Sequence, residues 1–284
     1  MLIKTSDNQS VKDWFSKIYI PQPNSHKGQN GKLLIIGGSQ LFHAACLWSA
    51  EIASHFVDLL HFSSTKENNE IFFSLKKQFR NGIVISQKDL MDYVREDDAI
   101  LVGPGMVRIG LEGKYTHRTT KYLIENFPEK KFVFDAGALQ MMDKNWLLKL
   151  KTQAIITPHQ KEFEKLFSLS LKDKTVDEKA EIVKDTAKKY NTVILMKAVD
   201  DIISDGKEIL IVNGGNQGLT KGGSGDVLAG LTAALYTKNK ALNSAVISSI
   251  LLKKSGEALL LKKGYWYNIS DLIKIIPEVL SNSL

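Results

Sequence analysis

The sequence predicts a three-layer α/β protein, with a mostly parallel central sheet and helices on both of its faces. Three observations carry this. Short apolar runs alternate along the chain with amphipathic stretches, which is the order of successive βαβ units. Several of the runs are unbroken Val, Ile, Leu and Phe, without the polar alternation of a strand that has one wet face. Clusters of Gly, Pro or His stand at the ends of these runs, where open parallel sheets bind their ligands.

Taken in order, the strands are Leu33–Ile36, Leu59–Phe62, Ile83–Ile85, Ala99–Val102, Lys131–Phe134, Ala154–Thr157, Val193–Met196 and Ile209–Val212. The helices between them are Ala44–Val57, Gly113–Asn126, Leu139–Leu150, Val176–Tyr190 and Asp226–Tyr236. Beyond Tyr236 the pattern is helical to the end, over Asn243–Leu261 and Ser270–Leu280. Thr157-Pro158-His159-Gln160 reads as a helix start, with Thr157 as N-cap, Pro158 at the first helical position and Gln160 completing a capping box. There is no repeat and no low-complexity linker, and the charged stretch Ser170–Asp177 reads as a surface loop. A single domain over 1–284 is the expectation.

Composition narrows the function classes. Among 284 residues, 38 Lys+Arg against 31 Asp+Glu give a net charge of +7, with 43% apolar and 24% charged residues. Those values exclude a disordered, collagen-like or disulfide-stapled chain. No apolar run approaches the ~18–20 residues of a membrane helix. Met1–Trp14 has no apolar core of a secretory signal, and Cys46 is the only cysteine. A cytoplasmic protein is expected. Arginine occurs only at 80, 95, 108 and 118, and the lysines are scattered, which argues against nucleic-acid binding.

The richest stretch is Asn213–Asp226, with Gly222, Gly223 and Gly225 turning into the helix that follows. Amides converging at a helix N-terminus, with the dipole behind them, suit the oxyanions of a transferring phosphoryl group. Asp226 in the same place fits a base that accepts a proton from an attacking hydroxyl. A helix cap after an ordinary glycine turn is the other reading. Neither Gly-x4-Gly-Lys-Ser/Thr nor Gly-x-Gly-x-x-Gly after a strand occurs, so phosphate binding would use another design. His159 stands at a positive helix end, which favours a neutral imidazole able to donate to a substrate. Lys197 closes one strand and can reach a nucleotide. Asp135 closes another and can hold a substrate hydroxyl or, through water, Mg²⁺. Gly103-Pro104-Gly105 allows a ligand close to the backbone. Each also has a plain structural reading: surface histidine, solvated lysine, turn-forming residues. Cys46 reads as buried and unreactive.

Five motifs in order resemble one family. They are His26-Lys-Gly-x-x-Gly31-x-Leu-Leu-Ile-Ile-Gly-Gly-Ser39, Gly103-Pro-Gly105, Asp135-Ala-Gly-Ala-Leu139, Thr157-Pro-His159-x-x-Glu-Phe163 and Gly222-Gly-Ser-Gly-Asp-Val-Leu-Ala-Gly230. The family is the ADP/ATP-dependent NAD(P)H-hydrate dehydratases, of the ribokinase-like superfamily, and the resemblance spans about Asn24 to Leu280. It implies a ribokinase-like fold and a repair reaction. The extra ring hydroxyl of hydrated NADH or NADPH is phosphorylated from ADP or ATP, with ADP expected here, and loss of phosphate restores the cofactor. The resemblance assigns Asp226 as base and substrate contact, and Gly223, Ser224 and Gly225 as the anion hole. It gives Lys197, Ala198, Val199, Asp200, Asp201 and Gly225 to the nucleotide. Ala44, Gly103, Gly105, Asp135, His159 and Asn216 go to the hydrated nicotinamide. Mg²⁺ would bridge the nucleotide phosphates, no protein metal ligand is assigned, and a homo-oligomer, a tetramer in relatives, is implied. A fused epimerase domain, common in bacterial members, is not expected.

The chain departs from the family pattern at Gly137, where a second Asp is usual, and at His43, Lys161 and Ala198, where glycines are usual. These departures keep two alternatives open: a small-molecule kinase of the same superfamily, and a nucleotide-binding relative without turnover.

Overall fold

The computed structural model describes Met1–Leu284. Ten strands form one sheet: β1 Leu2–Lys4, β2 Lys32–Ile36, β3 Leu59–Ser63, β4 Ile83–Val84, β5 Ala99–Val102, β6 Lys131–Phe134, β7 Ala154–Ile156, β8 Thr192–Met196, β9 Asp201–Ser204 and β10 Ile209–Asn213. The helices are α1 Asn8–Phe15, α2 Ala44–Ala53, α3 Lys66–Leu75, α4 Leu90–Glu96, α5 Gly110–Asn126, α6 Ala136–Met141, α7 Gln160–Phe167, α8 Val176–Lys189, α9 Ser224–Tyr236, α10 Ala241–Lys263 and α11 Ile269–Ser281.

The strand order is β1-β10-β9-β8-β7-β6-β5-β2-β3-β4. Every pairing is parallel except those of β9, which runs against β8 and β10. Both faces are covered. Leu33 and Ile35 of β2 join one apolar layer with α2, α9, α10 and α11, while Leu34 and Ile36 join the other with α4 to α8. A strand buried on both faces has no position for a polar residue, which is why the run reads Leu-Leu-Ile-Ile. No helix is long and apolar enough to cross a membrane.

The structure corrects several sequence expectations. Leu139–Leu150 is not one helix. Helix α6 ends at Met141, and Asp143 then caps a separate 3-10 turn over Lys144–Lys149 by accepting from the Asn145 amide. The cap of α7 is His159, not Thr157, and its box partner is Glu162, not Gln160. The Thr157 hydroxyl is turned to Asp135 instead, at 2.8 Å. Helix α2 stops at Ala53 rather than Val57. Strands β1 and β9 and helices α1, α3 and α4 had no counterpart in the sequence reading. All are short or polar, and their periodicity is too brief to register.

Candidate active site

The carboxyl ends of the parallel strands bring the chemistry-bearing residues to one sheet edge. Strand β5 delivers Gly103-Pro104-Gly105, β6 delivers Asp135, β7 delivers Thr157 to His159, and β8 delivers Lys197. The register aligns them: Val102 lies opposite Phe134, and Phe134 opposite Ile156. An isolated parallel bridge then joins His159 to Lys197. A Cβ at Gly103 would collide with the Asp135 carbonyl, and one at Gly105 would crowd the Phe42 carbonyl. These loops pack backbone against backbone, which glycine alone permits.

Asp226 enters from α9. Gly223 is the N-cap, with φ +106°, and Ser224, Gly225 and Asp226 make the first turn. A Cβ at Gly223 would lie 2.6 Å from the Trp48 ring. Glycine is therefore required here by both backbone conformation and space. Because the cap is Gly223, the Asp226 side chain is not the helix cap. Its main chain is anchored through the Ser49 hydroxyl, which donates to the Asp226 carbonyl at 2.8 Å.

Three charges share this edge. The Lys197 ammonium donates to Asp135 at 2.7 Å, and Lys197 Nζ stands 3.4 Å from where a Gly225 Cβ would be. Burial alone would pull the Lys197 ammonium down, but the Asp135 and Glu162 carboxylates outweigh it and hold it above its ordinary value. Burial, then the neighbouring Asp135 charge, pushes Asp226 up to about 7. A carboxyl poised there can take a proton near neutral pH and release it again. His159 accepts the Glu162 amide hydrogen through Nδ1 at 3.2 Å, so the ring proton sits on Nε2 and that nitrogen is a donor. Glu162 is held by Gln140, which donates to it at 2.9 Å.

Beside Asp226 lies a cavity of about 310 Å³, lined among others by Lys197, Ala198, Val199, Asp201, Asn216, Ser224 and Gly225. Asp200 does not line it and instead accepts from Asn213 at 2.6 Å. The Asp201 carboxylate is engaged internally. It accepts from the Ala198 amide and the Ser249 hydroxyl, with Lys253 Nζ at 3.7 Å. Lys253, 5% exposed, also donates to the Val199 carbonyl at 2.7 Å. Thr157 and Glu162 stood in the sequence only as members of the Thr-Pro-His-x-x-Glu-Phe motif, with no site role given to them, and Lys253 was not singled out at all. Ala44 begins α2 and is exposed, and Gly103, Gly105, Asp135 and His159 do not line the cavity, although Asp135 pairs with Lys197, which does. Cys46 is buried, and burial pushes its thiol up to about 12. No group of three or more His, Cys, Asp or Glu side chains comes together in a way that could hold a metal ion.

Gly137 has a physical reason. A Cβ there would run into the Met106 carbonyl, so a second Asp has no room while Met106 approaches α6 this closely.

The chain resembles known proteins throughout this architecture. It is 34% identical over 268 residues to a bifunctional NAD(P)H-hydrate repair enzyme of Methanocaldococcus jannaschii, covering 90% of this chain and 49% of that one. The chain thus spans about half the length of the first relatives it matches. Against an ADP-dependent (S)-NAD(P)H-hydrate dehydratase of Cenarchaeum symbiosum it is 29% identical, covering 90% of this chain and 91% of that one. The fold superposes on an ADP/ATP-dependent NAD(P)H-hydrate dehydratase of Bacillus subtilis, co-crystallized with ATP/Mg²⁺, with a TM-score of 0.81 at 20% identity over 98% of this chain and 97% of that one. Residues 33–278 match the family described as NAD(P)H-hydrate dehydratase. From the glycine-capped start of α9 to the layered sheet beneath it, the chain belongs to the NAD(P)H-hydrate dehydratase family.

Proposed function

We propose that this protein dehydrates hydrated NADH or NADPH in the cytoplasm, coupled to phosphoryl transfer from ADP or ATP. The observation that carries the reading is Asp226: a carboxyl pushed up to about 7, in the first turn of α9, next to Ser224 and Gly225 of a cavity also lined by Lys197 and Lys253. Relatives of matching length are named for ADP and for the S epimer of the hydrate, which supports ADP as the donor.

In this reading the ring hydroxyl attacks the terminal phosphoryl group and Asp226 takes its proton. A bond forms between phosphorus and the ring oxygen, and the bond to the nucleotide's bridging oxygen breaks. The amides of Gly223, Ser224 and Gly225 hold the phosphoryl oxygens. The C–O bond then breaks, phosphate leaves with its electrons, a ring proton is lost, and the double bond returns. His159 Nε2–H and the Asp135–Lys197 pair face the hydrated nicotinamide. Mg²⁺ would enter with the nucleotide phosphates, where it would neutralise charge.

The test is incubation with hydrated NADH, ADP or ATP, and Mg²⁺. Recovery of the near-ultraviolet absorbance of the reduced ring is expected. No recovery with either nucleotide overturns the reading, and a stable phosphorylated product would make the protein a kinase instead. Asp226→Asn should lower the rate by about 10²–10⁴-fold, the usual contribution of a general base. Part of the same reading is a homo-oligomer. Leu41 and Phe42 near Gly105, with Ile109 and Leu111 at the start of α5, are 72%, 50%, 76% and 82% exposed, a surface suited to a second copy. Sedimentation of the purified chain as a monomer at micromolar concentration would refute that.

A further inference from the structure

Two buried polar atoms of the nucleotide cavity have no partner in the protein: Asn216 Nδ2 and Ser224 Oγ. A buried donor left unpaired costs free energy, so each marks a place for a ligand group. The orientation of Asn216 is fixed by chemistry. The Gly218 amide reaches its side chain at 2.8 Å, and only an acceptor can meet an N–H, so that end is Oδ1. The Tyr267 hydroxyl donates to the same oxygen at 2.9 Å. The NH₂ is left as the free end.

Tyr267 comes from the connection between α10 and α11 and does not line the cavity. It is 1% exposed. Its ring closes on Gly218, where a Cβ would collide with it, and carries the Lys221 ammonium 4.8 Å from its centroid. Its hydroxyl hydrogen-bonds to Asn216. A rotation of the Asn216 amide by half a turn would set its NH₂ against the Gly218 N–H and break the bond that the Tyr267 hydroxyl donates.

We propose that Tyr267 is a positioning residue for the nucleotide: it locks Asn216 so that Asn216 Nδ2, together with Ser224 Oγ, donates to the phosphate oxygens of the bound adenine nucleotide. The proposal rests on the cavity being the nucleotide site, and it moves Asn216 from the hydrated nicotinamide, where the family resemblance put it, to the nucleotide. A donor-only amide end and a hydroxyl at the first residue of α9 suit an oxyanion, since the helix N-terminus adds its own positive field.

The experiment compares wild type, Tyr267→Phe, Asn216→Asp and the double variant by ADP calorimetry and steady-state kinetics. Tyr267→Phe is expected to raise the ADP KM and Kd by about five- to tenfold, with kcat at saturating ADP and the melting temperature close to wild type. Asn216→Asp keeps the acceptor for Gly218 and Tyr267 but sets an oxygen where the donor was. It should weaken ADP more than about tenfold even though the local fold is kept. The double variant should be no weaker than Asn216→Asp. Unchanged ADP affinity in Tyr267→Phe, a loss of kcat without a change in KM, or additive losses in the double variant overturn the proposal. Wild type that binds neither ADP nor ATP overturns the cavity reading itself, and with it the proposal.

Discussion

At the scale of single residues, Asp226 sets how the protein responds to pH. Burial and Asp135 raise it from an ordinary 3.8 to about 7. Between those values the folded chain keeps a proton that the unfolded chain has lost. The contribution of Asp226 to stability therefore falls as pH rises through that window, and levels off above it. Asp226→Asn removes the ionisation. We expect the variant to be more stable than wild type by on the order of 1–2 kcal/mol above pH ~7 and no more stable below pH ~4, read by denaturant melts at both ends. Activity runs the other way, since the base must be ionised. The rate kcat/KM should drop about tenfold per pH unit below ~7. A flat profile from pH ~5 to ~8 would remove Asp226 from that role. Asp226, Lys197, Asp135 and His159 were legible because each sits at a strand end or beside a glycine cluster. Lys253 and Tyr267 were not. A lysine inside a long helix and a tyrosine between two helices carry no local mark of what they touch across more than fifty residues of chain.

At the scale of elements, helix α9 is the part on which the site depends. Its N-cap glycine holds φ +106° against the Trp48 ring and Ile269. Gly223→Ala would demand a left-handed alanine and displace Trp48. The expected cost is about 1–3 kcal/mol in stability, with a loss of turnover larger than the loss of fold, measured by thermal melting beside the absorbance assay. A variant with wild-type turnover would show that the amides of this turn are not held as the site requires. The sequence indicated this helix but started it near Asp226, two residues late, because glycine before a helix reads as loop. The N-terminus of α7 illustrates the same limit. Thr157, Pro158 and Gln160 obey the statistics of a capping box, yet His159 takes the cap. Thr157 instead satisfies Asp135, a partner from another strand that no local rule anticipates.

At the scale of the whole molecule, the sheet assembles the site from strands β5 to β8 and a helix that follows β10. Stability and ligand binding are therefore coupled. ADP at a hundred times its Kd should add about 2.7 kcal/mol to the folded state and raise the melting temperature by about 4–5 °C for a chain of this size. No shift with either adenine nucleotide would count against the cavity. The sequence by itself determined the layered α/β class, because a strand covered on both faces must be apolar throughout. It also determined the order of the glycine-rich turns and the place of Asp226 directly behind one of them, because those are local features of the chain. Only the tertiary structure decided which groups meet: Lys197 with Asp135, Thr157 with Asp135, Lys253 with Asp201, Tyr267 with Asn216. The reversal of β9 and the pairing of β1 with β10 were likewise settled by packing. The +7 surplus noted in the composition is scattered over the surface, whereas the half-buried Lys197 and the buried Lys253 each face a carboxylate at the site. Pairing across distant strands is fixed by which buried charges must find partners, and that is a property of the folded core rather than of any segment read alone.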